Sequence, residues 1–152
     1  MTYLLIIFII ALALAPLSHF VPSKRQRKVA RMREYAAVHG MFVEFRRVPG
    51  ADRPGGQAVA GPGGDTIYYG KRLPPRRGDP VQGGNWVFHE TGWRSLDRRD
   101  PVPSPLLQLP AGILAASAAE GSCGIYWQES GTEQDVEQVR QALEAWAELL
   151  LQ

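Results

Sequence analysis

The chain has 152 residues, 45% of them hydrophobic and 21% charged, with a formal net charge of +2. That leaves room for one domain of ordinary size beside a short accessory segment, and the balance excludes disorder of the whole chain. A single cysteine, Cys123, excludes an intramolecular disulfide and every cysteine-based metal constellation.

The distribution of charge says more than its sum. Residues 24–99 hold 16 Lys/Arg against 7 Asp/Glu, whereas residues 100–152 hold Arg140 against 8 Asp/Glu. Residues 3–21 (YLLIIFIIALALAPLSHFV) carry no Asp, Glu, Lys or Arg. About 20 such residues in a helix cross the roughly 30 Å hydrocarbon core, so 1–22 is expected to be a transmembrane anchor. A cleaved signal peptide is the rival reading, but it requires a basic segment before the apolar run and a small-residue cleavage site after it. No Lys or Arg precedes Tyr3, and Lys24, Arg25, Arg27, Lys28, Arg31 and Arg33 follow without an acid among them. The positive-inside rule then predicts a single-pass bacterial inner-membrane protein, N-terminus periplasmic and C-terminal domain cytoplasmic. Pro16 is expected to kink the span. His19 reads as a neutral interfacial histidine rather than a haem ligand or proton relay.

Ser23 is placed to cap a second helix and Gly40 to stop it. Val29, Met32 and Ala36 recur at spacings of three and four, so 23–40 is expected to be a basic juxtamembrane helix. Its six cations are assigned to anionic lipid headgroups, at roughly 1 kcal/mol each before screening. A basic helix can equally bind a phosphate backbone, but beside a span lipid is favoured and no nucleic acid is expected.

The apolar span, the basic run Pro22, Ser23, Lys24, Arg25, Gln26, Arg27, Lys28, the short helix with Met32, and Gly40 before a strand at Met41 together resemble the small YajC family. Those are single-pass accessory subunits of the bacterial preprotein translocase. The resemblance covers about the first 45 residues and implies a secretion-associated role. Beyond it, the family's glycine-rich strand pairs are not recognisable, and this chain is longer and ends in a strong helix.

Residues 41–48 mix β-branched and aromatic side chains, with Met41, Val43 and Phe45 on one face, and predict a strand. Residues 49–65 contain six glycines and three prolines and predict a loop, as do 73–84. Residues 66–72 predict a second strand, and 85–96 a hairpin turning near Thr91 and Gly92. Residues 106–109 and 113–119 are ambiguous between strand and helix, because Ala and Leu favour helix while Pro110 and Gly112 restrict it. Residues 124–129 predict a last strand. Thr132 followed by Asp135 forms a capping-box pattern opening a helix to about Leu150, with Val136, Val139, Leu143, Trp146 and Leu150 as its apolar stripe.

The expected fold class is α+β: transmembrane and juxtamembrane helices, then, over 41–152, a small antiparallel sheet or partial barrel in pleckstrin-homology-like order, closed by the C-terminal amphipathic helix. Trp86, Trp93 and Trp127 can fill the core of such a domain, whereas exposure of Trp86, Trp93 or Trp146 would mark a partner surface.

Chemical motifs are weak. His19, His39 and His89 stand far apart with no metal-ligand spacing. The nucleophile elbow suggested by Gly121, Ser122, Cys123 and Gly124 fails at Glu120, and the phosphate loop suggested by Gly70 and Lys71 fails at Asp65 and Arg72. His89, Glu90, Ser95 and Asp97 are triad residue types without triad geometry. No catalytic, cofactor or metal residues are assigned. The expected function is a non-enzymatic accessory protein of an inner-membrane complex. The alternatives are a ligand-binding or enzymatic site built from loops 49–65 and 73–84, and an anionic-lipid-sensing tether.

Overall fold

The computed structural model describes residues 1–15, 22–51, 66–75, 81, 83–97 and 100–152. The chain divides into two units, Met1–Ala30 and Arg31–Gln152.

The first unit corrects the membrane prediction. Its helix α1, Thr2–Leu14, has 13 residues, and at 1.5 Å per residue it is about 20 Å long, well short of a hydrocarbon core. No helix among the described residues is long and apolar enough to cross a membrane. The transmembrane anchor over 1–22, the single-pass inner-membrane placement and the N-out, C-in topology therefore lose their support. Ala15, the last described residue of this segment, still has helical geometry and donates its N–H to the Ala11 carbonyl. Pro16 and His19, to which roles within the span were assigned, lie outside the described residues.

Helix α2 spans Lys24–Val38. A reciprocal cap opens it: the Gln26 amide N–H donates to Ser23 Oγ at 3.2 Å, and the Ser23 N–H donates to Gln26 Oε1 at 2.8 Å. Gly40, at φ 76°, ends it in the left-handed region that glycine enters without a Cβ penalty.

The second unit is built on one six-stranded antiparallel sheet: β1 (Met41–Arg46), β2 (Thr66–Arg72), β3 (Gly84–His89), β4 (Gly92–Ser95), β5 (Ile113–Ala119) and β6 (Ser122–Trp127), in the order β1-β2-β6-β5-β3-β4. The sheet is open, with β1 and β4 at its edges, so the partial-barrel expectation is also corrected. Three pairs of consecutive strands make it, and the last pair, β5 and β6, inserts between the other two. The ambiguous segment 113–119 is β5; its Ala116 and Ala118 are small enough to lie under the helix layer, and Ala116 pairs with Trp86. Residues Ser104–Gln108 form a 3-10 turn that buries Leu106.

Helix α3, Glu133–Leu151, covers one face of the sheet with Val136, Val139, Ala142, Leu143, Trp146 and Ala147. Asp135 Oδ2 closes its start by accepting from both the Thr132 N–H (2.6 Å) and the Thr132 hydroxyl (2.8 Å). Met32 and Ala36 of α2 join the same core, with Tyr69, Ile125 and Trp127 from the central strands. The larger aliphatic side chains among them, Met32 and Ile125, each contribute about 1.5–3 kcal/mol by leaving water. On the opposite face a smaller cluster forms around Tyr68, Ala115 and Tyr126, with Phe42 and Val87 against it. There Tyr68 lies across Gly124 and Phe42 across Gly70, two glycines paired in the β2–β6 register; a Cβ on either would strike the overlying ring.

Candidate functional site

Two features stand out from ordinary packing: a buried carboxylate that fixes α2 to the sheet, and a set of exposed surfaces with nothing described against them.

Glu129 follows β6 in a left-handed conformation (φ 52°), which costs a residue with a Cβ about 1–2 kcal/mol. Its side chain is buried. Arg33 of α2 binds it through two parallel hydrogen bonds, Nε to Oε1 at 2.7 Å and Nη2 to Oε2 at 2.6 Å, and the Tyr69 hydroxyl donates to Oε1 at 2.8 Å. A bidentate guanidinium pair in a half-buried setting is geometrically specific as well as strong. Hydrogen bonding to Glu129 raises the Arg33 pKa, and burial beside the same carboxylate pushes the Tyr69 phenol well above its usual range. The three side chains together serve as a latch between α2 and the sheet. Arg33 was assigned to lipid headgroups; that assignment is corrected, because its guanidinium is committed to Glu129.

A second chain of charges runs over the helices. The Tyr35 hydroxyl donates to Glu137 Oε2 at 2.9 Å, Arg140 bridges Glu137 (2.7 Å) and Glu144 (2.6 Å), and Lys71 Nζ reaches Glu144 Oε1 at 3.0 Å. The Arg140 hydrogen bonds, with those from Gln141 and Tyr35, hold the Glu137 carboxyl at about 2, below the usual range. Lys71, suggested earlier as a phosphate-loop lysine, belongs to this network.

The other candidates separate cleanly. Trp86 and Trp146 meet edge to face at 5.5 Å inside the core, so neither forms a partner surface. Trp93 is half-buried and packs against Phe88. Cys123 is fully buried with its Sγ toward the Leu143 carbonyl at 3.9 Å, and burial pushes its thiol up to about 12, far from a nucleophile's range. Ser95 stands three ladder positions from His89, roughly 10 Å, and Asp97 accepts from Asn85 instead, so no triad assembles. His39 stacks on Tyr35 and its Nδ1–H donates to the Tyr35 carbonyl at 2.8 Å. Among the described residues no group of three or more His, Cys, Asp or Glu is placed to hold a metal ion. Most of the two loops proposed for a ligand site, 52–65 with 76–80 and 82, lies outside the described residues.

Three exposed surfaces remain. None of the residues of α1 is buried, and its leucines, isoleucines and aromatics face solvent on every side. Lys24, Arg25, Arg27, Lys28 and Arg31 lie exposed along the first part of α2. Phe45, on the edge strand β1, is 68% exposed. The Glu129 latch was missed in the sequence because its partners lie 60 and 96 positions away; the one local hint was an acid two positions after a strand ending in buried aromatics. Compared with family models, curated proteins and solved structures, the chain matches none.

Proposed function

We propose that this chain is a non-enzymatic interaction protein, an accessory subunit whose α1 is enclosed by apolar helices of a larger assembly. The observation that carries the reading is α1 itself: a helix apolar on all sides, with Leu4, Phe8 and Leu12 each about two-thirds exposed. A surface helix of a globular protein has one apolar stripe, and one that is apolar all round belongs inside something larger. The YajC resemblance over the first 45 residues makes the preprotein translocase the first assembly to probe.

The test is purification of the full chain in mild detergent, beside a variant carrying Leu5→Asn and Ile9→Asn. The reading expects a stoichiometric complex with the native chain and a free monomer with the variant. Recovery of both as the same free monomer overturns it.

A second reading draws on the five exposed cations at the start of α2, which suit an anionic-lipid sensor at roughly 1 kcal/mol per charge. Binding to vesicles containing phosphatidylserine should then fall steeply between 50 and about 300 mM salt, as screening requires. Salt-independent or absent binding removes it.

A further inference from the structure

Strand β1 is an edge six residues long, and it ends in Glu44, Phe45 and Arg46. Exposed edges of this length are a standing invitation to another strand, and the opposite edge, β4, is shortened to four residues and opens on Gly92. On β1, Glu44 Oε2 and Arg46 Nη2 sit 2.8 Å apart on one side of the sheet, with side chains 47% and 37% exposed. Phe45 points to the other side, opposite Ile67 of β2, and is 68% exposed although the Arg33 guanidinium of α2 lies 5.7 Å from its ring centre.

We propose that β1 pairs with β1 of a second copy of this chain, antiparallel about a two-fold axis through Phe45, to make one continuous twelve-stranded sheet. A two-fold edge pairing is isologous, so the strand must be complementary to itself. Residues directly opposite share a face, which restricts the axis to a residue rather than a gap between residues. An axis at Glu44 sets Glu44 against itself, and an axis at Arg46 sets Arg46 against itself, both destabilising. An axis at Val43 sets Glu44 opposite Phe42 and Arg46 opposite Gly40, so neither charge meets an opposite one. Only the axis at Phe45 puts Glu44 opposite the second copy's Arg46 and Arg46 opposite the second copy's Glu44, while the two Phe45 rings meet on the far side. The intrastrand ion pair is thereby extended into a four-charge ladder across the joint, and the exposed aromatic is covered.

Cysteine cross-linking of the full chain tests the register. Directly opposed residues on neighbouring strands have Cα atoms about 4.5–5.5 Å apart, inside the range a disulfide spans, whereas two Val43 positions would be about 13 Å apart. Under mild oxidation, Phe45→Cys should form a linked dimer at least about tenfold faster than Val43→Cys or Arg47→Cys, with the native chain, whose one thiol is buried, as background. Adding Glu44→Arg to Phe45→Cys should slow linking about tenfold, by turning both cross-strand pairs repulsive, and adding Arg46→Glu as well should restore it. Equal rates at 43, 45 and 47, or a Phe45→Cys rate unmoved by Glu44→Arg, overturn the proposal; association through α1 would give that register-independent pattern.

Discussion

The units Met1–Ala30 and Arg31–Gln152 spend their apolar residues in opposite ways. In the second, Leu143 and Trp146 are sealed between α3 and the sheet, with polar side chains on the outer side of the helix. In the first, Leu4, Leu5 and Ile6 to Ile10 are at least 45% exposed and no residue of α1 is buried. Hydrophobicity of a segment thus reports that it must be covered; amphipathic spacing is what reports that its own chain does the covering.

Substitutions sharpen that contrast. Leu143→Ala in α3 should cost about 2–5 kcal/mol in chemical denaturation, from lost burial and the cavity left behind, whereas Leu5→Ala in α1 should stay within about 0.5 kcal/mol. Comparable losses at both positions would mean that α1 is part of the folded core. Next in size is the joint between α2 and the sheet. Arg33→Ala strands a buried carboxylate in a strained backbone position and should cost about 1–3 kcal/mol, with Glu129→Gln losing less because the amide still accepts from Tyr69.

The smallest effect is a pH dependence. Glu137 titrates near 2 in the folded chain against an ordinary 4.5, so its contribution is full above about 4.5 and disappears as pH falls towards 2. Glu144, held down chiefly by Lys71, acts in the same direction. Thermal stability should be flat from pH 5 to 8 and decline below about 4.5, and Glu137→Gln should make that decline shallower. An unchanged acid slope in the variant would dismiss the Tyr35–Glu137–Arg140 network as a stabilising feature.

Much of the local structure was readable from sequence. Ser23, Gly40, the turn at Gly92, and the Thr132–Asp135 start of α3 each act through neighbours a few positions away, and each lies where its residue types indicate. What was hidden depends on distant partners. Residues 113–119 look helical by composition, and become a strand because alanines fit opposite Trp86 and beside Cys123 and Ile125. The insertion of β5 and β6 between the two earlier strand pairs has no local signature, nor does the commitment of Arg33 to a carboxylate 96 residues on. The membrane prediction, drawn from 19 uncharged residues, is overturned by a described helix of 13 residues, too short to cross a hydrocarbon core. Sequence likewise left the tryptophans open between core and partner surface, because the burial of Trp86 and Trp146 rests on packing that includes their mutual contact.

The central claim, that α1 is enclosed by a partner, is tested most directly by site-specific photocross-linking from Ile6, Ile7, Phe8 and Ile9 in turn, positions that together circle the helix. The account predicts a discrete product with the same partner protein from all four. No protein product from any of them, or products from one side of the helix alone, would contradict it.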